Sequence, residues 1–176
     1  MFFTFDQWLI GKFEKAVSAF AMLTGKDNYF LAKFFLCMAA ASQILIGVYF
    51  LGPIFTAVAA ICAPMMLLMA NRDEQEAQSR RISGLANPHK ITYYYTRMLF
   101  SFLSIGMCFV ITTTISSKTA VSLHQIHTLL STVFFCLFYY LLSCDITPPA
   151  KSLFRKWAEH FQVKPVHVSV PVRSES

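Results

Sequence analysis

Charged residues are scarce in this chain, and they are missing from its longest apolar stretches. Only 14% of the 176 residues are charged, whereas soluble domains have about 25%. The segments 34–70, 98–117 and 128–143 contain no Asp, Glu, Lys, Arg or His. Proton relays and ion-coupled transporters place such groups at membrane depth. This absence argues against active transport and against an enzyme that works inside the bilayer, so we expect a protein that is not an enzyme.

Cysteine motifs are missing as well. The five cysteines include no C-x-x-C pair and no spacing typical of metal ligands. Four of them fall in separate apolar stretches, as expected of small buried hydrophobic residues. We therefore predict no cofactor.

Apolar residues are abundant and fall into four stretches. They make up 56% of the chain, more than a soluble protein of this size can bury. The stretch 29–70 is too long for one membrane span of about 20 residues, and Gly52-Pro53 divides it into 29–51 and 53–70. A second pair lies within 97–143. The pattern predicts an all-α polytopic membrane protein in which four transmembrane helices form two hairpins, joined by a cytoplasmic loop at 71–96.

Both ends of the chain contain an amphipathic pattern. In the N-terminal segment 1–28, apolar residues recur at three- and four-residue spacing: Phe5, Trp8, Leu9, Phe13, Val17 and Phe20. In the segment 144–162, a second stripe consists of Leu153, Phe154, Trp157, Ala158 and Phe161. Such aromatic stripes beside a span are typical of helices that lie in the membrane interface. The tail 163–176 is predicted to be extended or disordered.

The basic residues predict the orientation. Fourteen of the fifteen Lys and Arg residues lie before or near the start of the first span, after the last one or between the second and third, and only Lys118 lies on the other side. Because cytoplasmic loops carry the excess of Lys and Arg, both termini are predicted to be cytoplasmic. The same pattern fits a bacterial inner membrane and a eukaryotic organelle membrane.

A set of aromatic and basic residues at the ends of the apolar segments is predicted to lie at the membrane interface. Aromatic rings and basic side chains are enriched at headgroup depth. The predicted interface residues are Trp8, Phe13, Tyr94, Arg97, Phe154 and Trp157.

Only one pair of residues suggests a metal site. His124 and His127, three residues apart, share a face near the outer end of the fourth span, and this spacing suits two metal ligands. The alternative interpretation is an interfacial pair that hydrogen-bonds water or headgroups.

The expected function is that of a non-catalytic accessory or structural subunit in a larger integral membrane complex. The predicted partners are the lipid bilayer and other integral membrane proteins or further copies of this chain, with no nucleic acid. One alternative is a membrane-shaping hairpin scaffold. Another is a small channel or facilitator lined by Thr and Ser in the outer half of the third span, residues 112–117.

Overall fold

Helices account for all the regular structure in the described part of the chain. A computed structural model describes residues 2–83, 85–117, 120–145 and 152–153, and no strand occurs among them. The helices are α1 (Phe2–Thr24), α2 (Asn28–Ile46), α3 (Pro53–Ile82), α4 (His89–Thr92), α5 (Tyr94–Ser116) and α6 (Leu123–Ser143), and a π-helical segment, Gly47–Leu51, continues α2. The predicted C-terminal helix and tail lie outside the described residues, apart from 144–145 and 152–153.

Four helices are long and apolar enough to cross a membrane. They are Asn28–Leu51, Pro53–Ile82, Tyr94–Ser116 and Leu123–Ser143. The prediction of an all-α chain with four candidate spans is therefore confirmed for the described residues. α3 continues beyond its apolar part to Ile82, and on this extension Arg80 Nε donates to Glu76 Oε1 at 3.1 Å.

The four long helices form a row in the order α3, α2, α6, α5. α2 packs chiefly against α6, while α3 packs on α2 and α5 packs on α6. Buried small residues such as Ala32 and Ala39 on α2 permit close helix approach. Between the two central helices, Gln43 Nε2 donates to Ser131 Oγ at 2.6 Å. α3 and α5 are therefore the flanks of the row, and each leaves much of its surface uncovered.

Glycine is required at the turn between α2 and α3. Gly52, with φ of +89°, ends the π-helical segment, and its N–H donates to Gly47 O at 2.8 Å. Pro53 then starts α3 at a position where proline is favoured. A Cβ on Gly47 would lie 2.6 Å from Thr56 Oγ1 and 2.9 Å from Thr56 Cα. Only glycine permits this close approach of the two helices.

α1 lies across one end of the row. Its first turns contact Tyr94 at the start of α5. Farther along, Phe13 stacks on Tyr140 near the end of α6, with ring centroids 5.1 Å apart. Val17 belongs to the same buried cluster as Tyr29 at the start of α2. Because these contacts involve the beginnings of α2 and α5 and the end of α6, α1 crosses one end of the bundle, which we call the α1 end.

The apolar residues of α1 do not form the single stripe that the sequence suggested. Phe13 and Val17 pack against the bundle, whereas Phe5 and Trp8 are 54% and 56% exposed. The buried side of the helix consists of Asp6, Ile10, Val17 and Ala21. The helix therefore has two apolar faces, one against the protein and one directed outward, and a carboxylate lies on the inward one.

Candidate functional site

A buried ion pair at the α1 end joins α1 to α5. Arg97, in the first turn of α5, and Asp6 of α1 both have fully buried side chains. The guanidinium donates to both carboxylate oxygens, from Nε to Oδ1 at 3.1 Å and from Nη2 to Oδ2 at 2.6 Å. This bidentate geometry is the strongest form of carboxylate recognition by arginine.

The remaining guanidinium hydrogens also have acceptors. Nη1 of Arg97 donates to Ser143 Oγ at 2.6 Å and, more weakly, to His89 O at 3.4 Å. Nη2 donates to Lys90 O at 2.8 Å, and the guanidinium carbon lies 5.6 Å from the centre of the Tyr140 ring. A buried charge is stable only when it is paired and hydrogen-bonded in this way. The hydrogen bonds of Arg97 therefore hold α1, α4, α5 and α6 together.

Lys90 provides a second link between α1 and the end of α6. Its Nζ lies 2.8 Å from Glu14 Oε1 and 2.8 Å from Asp145 Oδ2. Burial alone would lower the pKa of Lys90, but the hydrogen bonds that it donates to Asp145 and Glu14 raise the pKa above its ordinary value. The lysine is therefore charged at neutral pH and attracts both carboxylates.

Two asparagine side chains satisfy the carbonyls at the end of α6. The last carbonyls of a helix have no partner within the helix. Asn28 Nδ2 donates to Leu141 O at 2.9 Å and to Cys144 O at 3.2 Å. Asn87 Nδ2 donates to Leu142 O at 3.1 Å and to Cys144 O at 2.9 Å. The start of α2 and the segment before α4 thus hold the same helix end.

Two acidic residues in the polar part of α3, Asp73 and Glu74, attach this helix to the α1 end. Tyr93 donates its hydroxyl hydrogen to Asp73 Oδ2 at 2.6 Å, and Lys33 Nζ lies 2.5 Å from Glu74 Oε2. Burial and the hydrogen bond with Asp73 raise the pKa of Tyr93 above its ordinary value, so the phenol is neutral at physiological pH. The side chain of Lys33, near the start of α2, therefore contacts α3.

Cys144 lies at the α1 end, directly after α6, and is enclosed by the protein. The residue is fully buried, and its thiol donates to Tyr140 O at 3.3 Å. Burial, with a smaller effect of Glu14, raises the pKa of the thiol to about 12. Thiols of this kind are unreactive because the thiolate is the nucleophile. Cys144 is therefore a structural residue in the folded chain.

All seven acidic residues in the described part of the chain are bonded to groups of the chain itself. Five pair with basic side chains, Asp73 accepts from Tyr93, and Asp27 accepts from the Phe30 amide as the N-cap of α2. The arrangement holds helices together, and it leaves no described carboxylate poised as a free base.

The predicted interface residues occupy different environments. Trp8 is exposed, and Tyr94 is partly exposed beside Tyr95. Phe13 packs on Tyr140. Arg97 is fully enclosed by protein rather than placed at a lipid surface, because Asp6 supplies a carboxylate that binds it. Phe154 and Trp157 lie outside the described residues.

His124 and His127 lie at the start of α6, at the opposite end of the bundle. The His124 ring is 5.3 Å from that of Phe50, and Nδ1 of each histidine is buried without a hydrogen-bond partner in the described structure. Among the residues described, no group of three or more His, Cys, Asp or Glu side chains is placed to hold a metal ion. The predicted metal site would therefore have two ligands among the described residues, one ring nitrogen from each histidine.

Sequence reasoning missed the ion pair because its members are 91 residues apart. One signal was present: Asp6 lies on the same helical face as Ile10, Phe13 and Val17. A carboxylate on an apolar face requires a cation when that face is buried. Arg97, directly before the third apolar segment, is such a cation.

Comparisons of the chain with protein-family models, with curated proteins and with solved structures found no match.

Proposed function

We propose that the chain is a non-catalytic structural subunit of a larger integral membrane complex, and that the outward side of α5 contacts a partner helix. The observation that supports this proposal is the one-sided attachment of α5. No residue in its most apolar 18-residue stretch is buried, compared with 39% in α6. A span attached along one side leaves its opposite side for lipid or for another protein.

Gly106 favours a protein on this side of α5. A glycine inside a helix costs about 0.5–1 kcal/mol relative to alanine. A Cβ at Gly106 would meet nothing within 4 Å, so packing within the chain does not require glycine there. Exposed Leu99 and Val110 flank it on the same face. In membranes, glycine on a helix face allows a neighbouring helix to approach closely.

In this proposal α2–α3 and α5–α6 are two transmembrane hairpins, and the α1 end faces the cytoplasm. The distribution of fourteen basic residues on that side supports the orientation. α1 then lies in the interface, with its inward face on the bundle and its exposed aromatic face toward the lipid. The bonds of Asp6 and Glu14 keep it in this position.

The hydroxyl groups of α5 favour packing over pore lining. Thr112 donates to Cys108 O, Thr113 and Thr114 both donate to Val110 O, and each of these distances is 2.8 Å. Ser116 similarly donates to Thr112 O at 2.9 Å. Hydroxyls bonded to their own helix are common in membrane helices and require no water-filled path. This pattern argues against the channel alternative.

Gly106→Leu is expected to reduce recovery of the partner at least about fivefold, because the added side chain prevents close helix contact. The measurement is quantitative mass spectrometry of proteins that co-purify with the chain from its native membrane in mild detergent. Ala60→Leu is the control, since it adds bulk to the exposed surface of α3. A monomer without partners, or equal losses in both variants, would contradict the proposal.

A further inference from the structure

The charges that remain after internal pairing are concentrated on and near α1. The acidic residues of this region are engaged: Asp6 with Arg97, Glu14 with Lys90, and Asp27 with the Phe30 amide as the N-cap of α2. Within the described part of the chain, Lys12, Lys15 and Lys26 have no carboxylate within ion-pair distance. Ion pairs therefore neutralise Asp6 and Glu14, and three lysine charges and the charge of Asp27 remain in this part of the chain.

Two of these lysines share the outward aromatic face of α1. Phe5, Trp8, Lys12 and Lys15 recur at three- and four-residue intervals, which places them on one side of the helix. Phe5 and Trp8 are stacked with ring centroids 5.8 Å apart. Lys12 Nζ lies over the Trp8 ring at 5.3 Å from its centroid. The outward face is therefore both aromatic and basic.

Lys26 lies just beyond the other end of α1, where the first candidate span begins. It lies between α1 and α2, and its Nζ is 5.1 Å from the centre of the Phe30 ring. Phe30 is exposed in the first turn of α2, which is a candidate membrane span. The basic and aromatic groups therefore occur where an apolar helix begins, which is the depth of lipid headgroups.

We propose that Phe5, Trp8, Lys12, Lys15 and Lys26 form a surface that binds anionic phospholipids in preference to zwitterionic ones. The aromatic rings bury in the boundary between headgroups and acyl chains, and the lysine stems extend along them so that the ammonium groups reach the phosphates. The ion pair Asp6–Arg97 holds this face outward and prevents Asp6 from neutralising it. Lipid binding of this kind rests on the proposed placement of α1 in the interface and requires no protein partner.

Fluorescence quenching by brominated lipids tests this inference in the full chain. The chain has two tryptophans, so Trp157→Phe leaves Trp8 as the single indole reporter. The protein is reconstituted into bilayers that contain brominated phosphatidylglycerol or brominated phosphatidylcholine. We expect the relative binding constant to favour the anionic lipid by about fivefold or more at low salt, and to approach unity near 1 M salt, where the Debye length is about 3 Å.

The substitutions Lys12→Gln, Lys15→Gln and Lys26→Gln, made together, are expected to reduce the preference below about twofold. The matched control replaces Arg72, Lys118 and Lys164 by Gln, which removes the same charge elsewhere and should retain the preference. Equal quenching by both lipids, or a preference that survives the first triple substitution or is lost in the control, would overturn the inference. Absence of quenching by either lipid would also overturn it, because a protein surface would then cover Trp8.

Discussion

Arg97→Ala is expected to lower the free energy of unfolding by about 3–5 kcal/mol, the usual cost of removing one partner of a buried ion pair. The substitution leaves the Asp6 carboxylate buried without its cation. It also removes the hydrogen bonds that Ser143 Oγ and the carbonyls of His89 and Lys90 accept from the guanidinium. The measurement is reversible unfolding of the purified protein in mixed detergent micelles. The predicted result is a large loss of stability together with detachment of α1.

Arg72→Ala is the matched control for this experiment. Arg72 is an exposed arginine of α3, and its replacement is expected to change stability by less than about 0.5 kcal/mol. Similar effects of the two alanine substitutions would show that Arg97 is not a structural ion-pair partner. Asp6→Leu combined with Arg97→Met should recover much of the loss, because apolar replacement of a whole buried pair is often neutral.

The double substitution Asn28→Ala and Asn87→Ala is expected to lower stability by about 2–6 kcal/mol, since each loss of a buried donor costs about 1–3 kcal/mol. Both amides bond to Cys144 O, so either one satisfies that carbonyl when the other is absent. The double variant should therefore lose more stability than the sum of the single variants. Hydrogen exchange should show faster exchange in the last turn of α6.

Asn71→Ala serves as the control for the asparagine variants, since Asn71 lies in α3 and, unlike Asn28 and Asn87, is not bonded to the carbonyls at the end of α6. A double-mutant cycle separates the shared bond from the two independent ones. Strictly additive losses, with unchanged exchange in the last turn of α6, would contradict the role of the two amides as joint caps.

The four candidate spans could be predicted from the sequence because their signal is local. Helices of membrane length can be identified from apolar runs without any knowledge of tertiary contacts. One such run is interrupted by Gly52-Pro53, and another has no charge between Met98 and Ser117. The same holds for the helical character of α1, whose apolar residues recur at helical spacing.

The arrangement of the helices could not be predicted in the same way. Whether α3 and α5 are central or flanking depends on which faces fit together, and periodicity does not specify this for helices that are apolar on most sides. The Asp6–Arg97 pair depends on contact between distant segments. Phe13 and Phe5 belong to one stripe in the sequence, yet only tertiary packing determines that one contacts Tyr140 and the other is exposed.

Asp6 and Arg97 hold α1 across one end of the bundle, where this helix helps to enclose Cys144. Alkylation of Cys144 tests this arrangement most directly, in a variant whose other four cysteines are replaced by alanine. With Asp6 present, the thiol should resist a water-soluble maleimide at pH 8, because it is buried and its pKa is raised to about 12. Asp6→Asn should increase the labelling rate at least about tenfold, because weakening the ion pair favours release of α1. Rapid labelling with Asp6 in place, or equal protection in both proteins, would contradict the account.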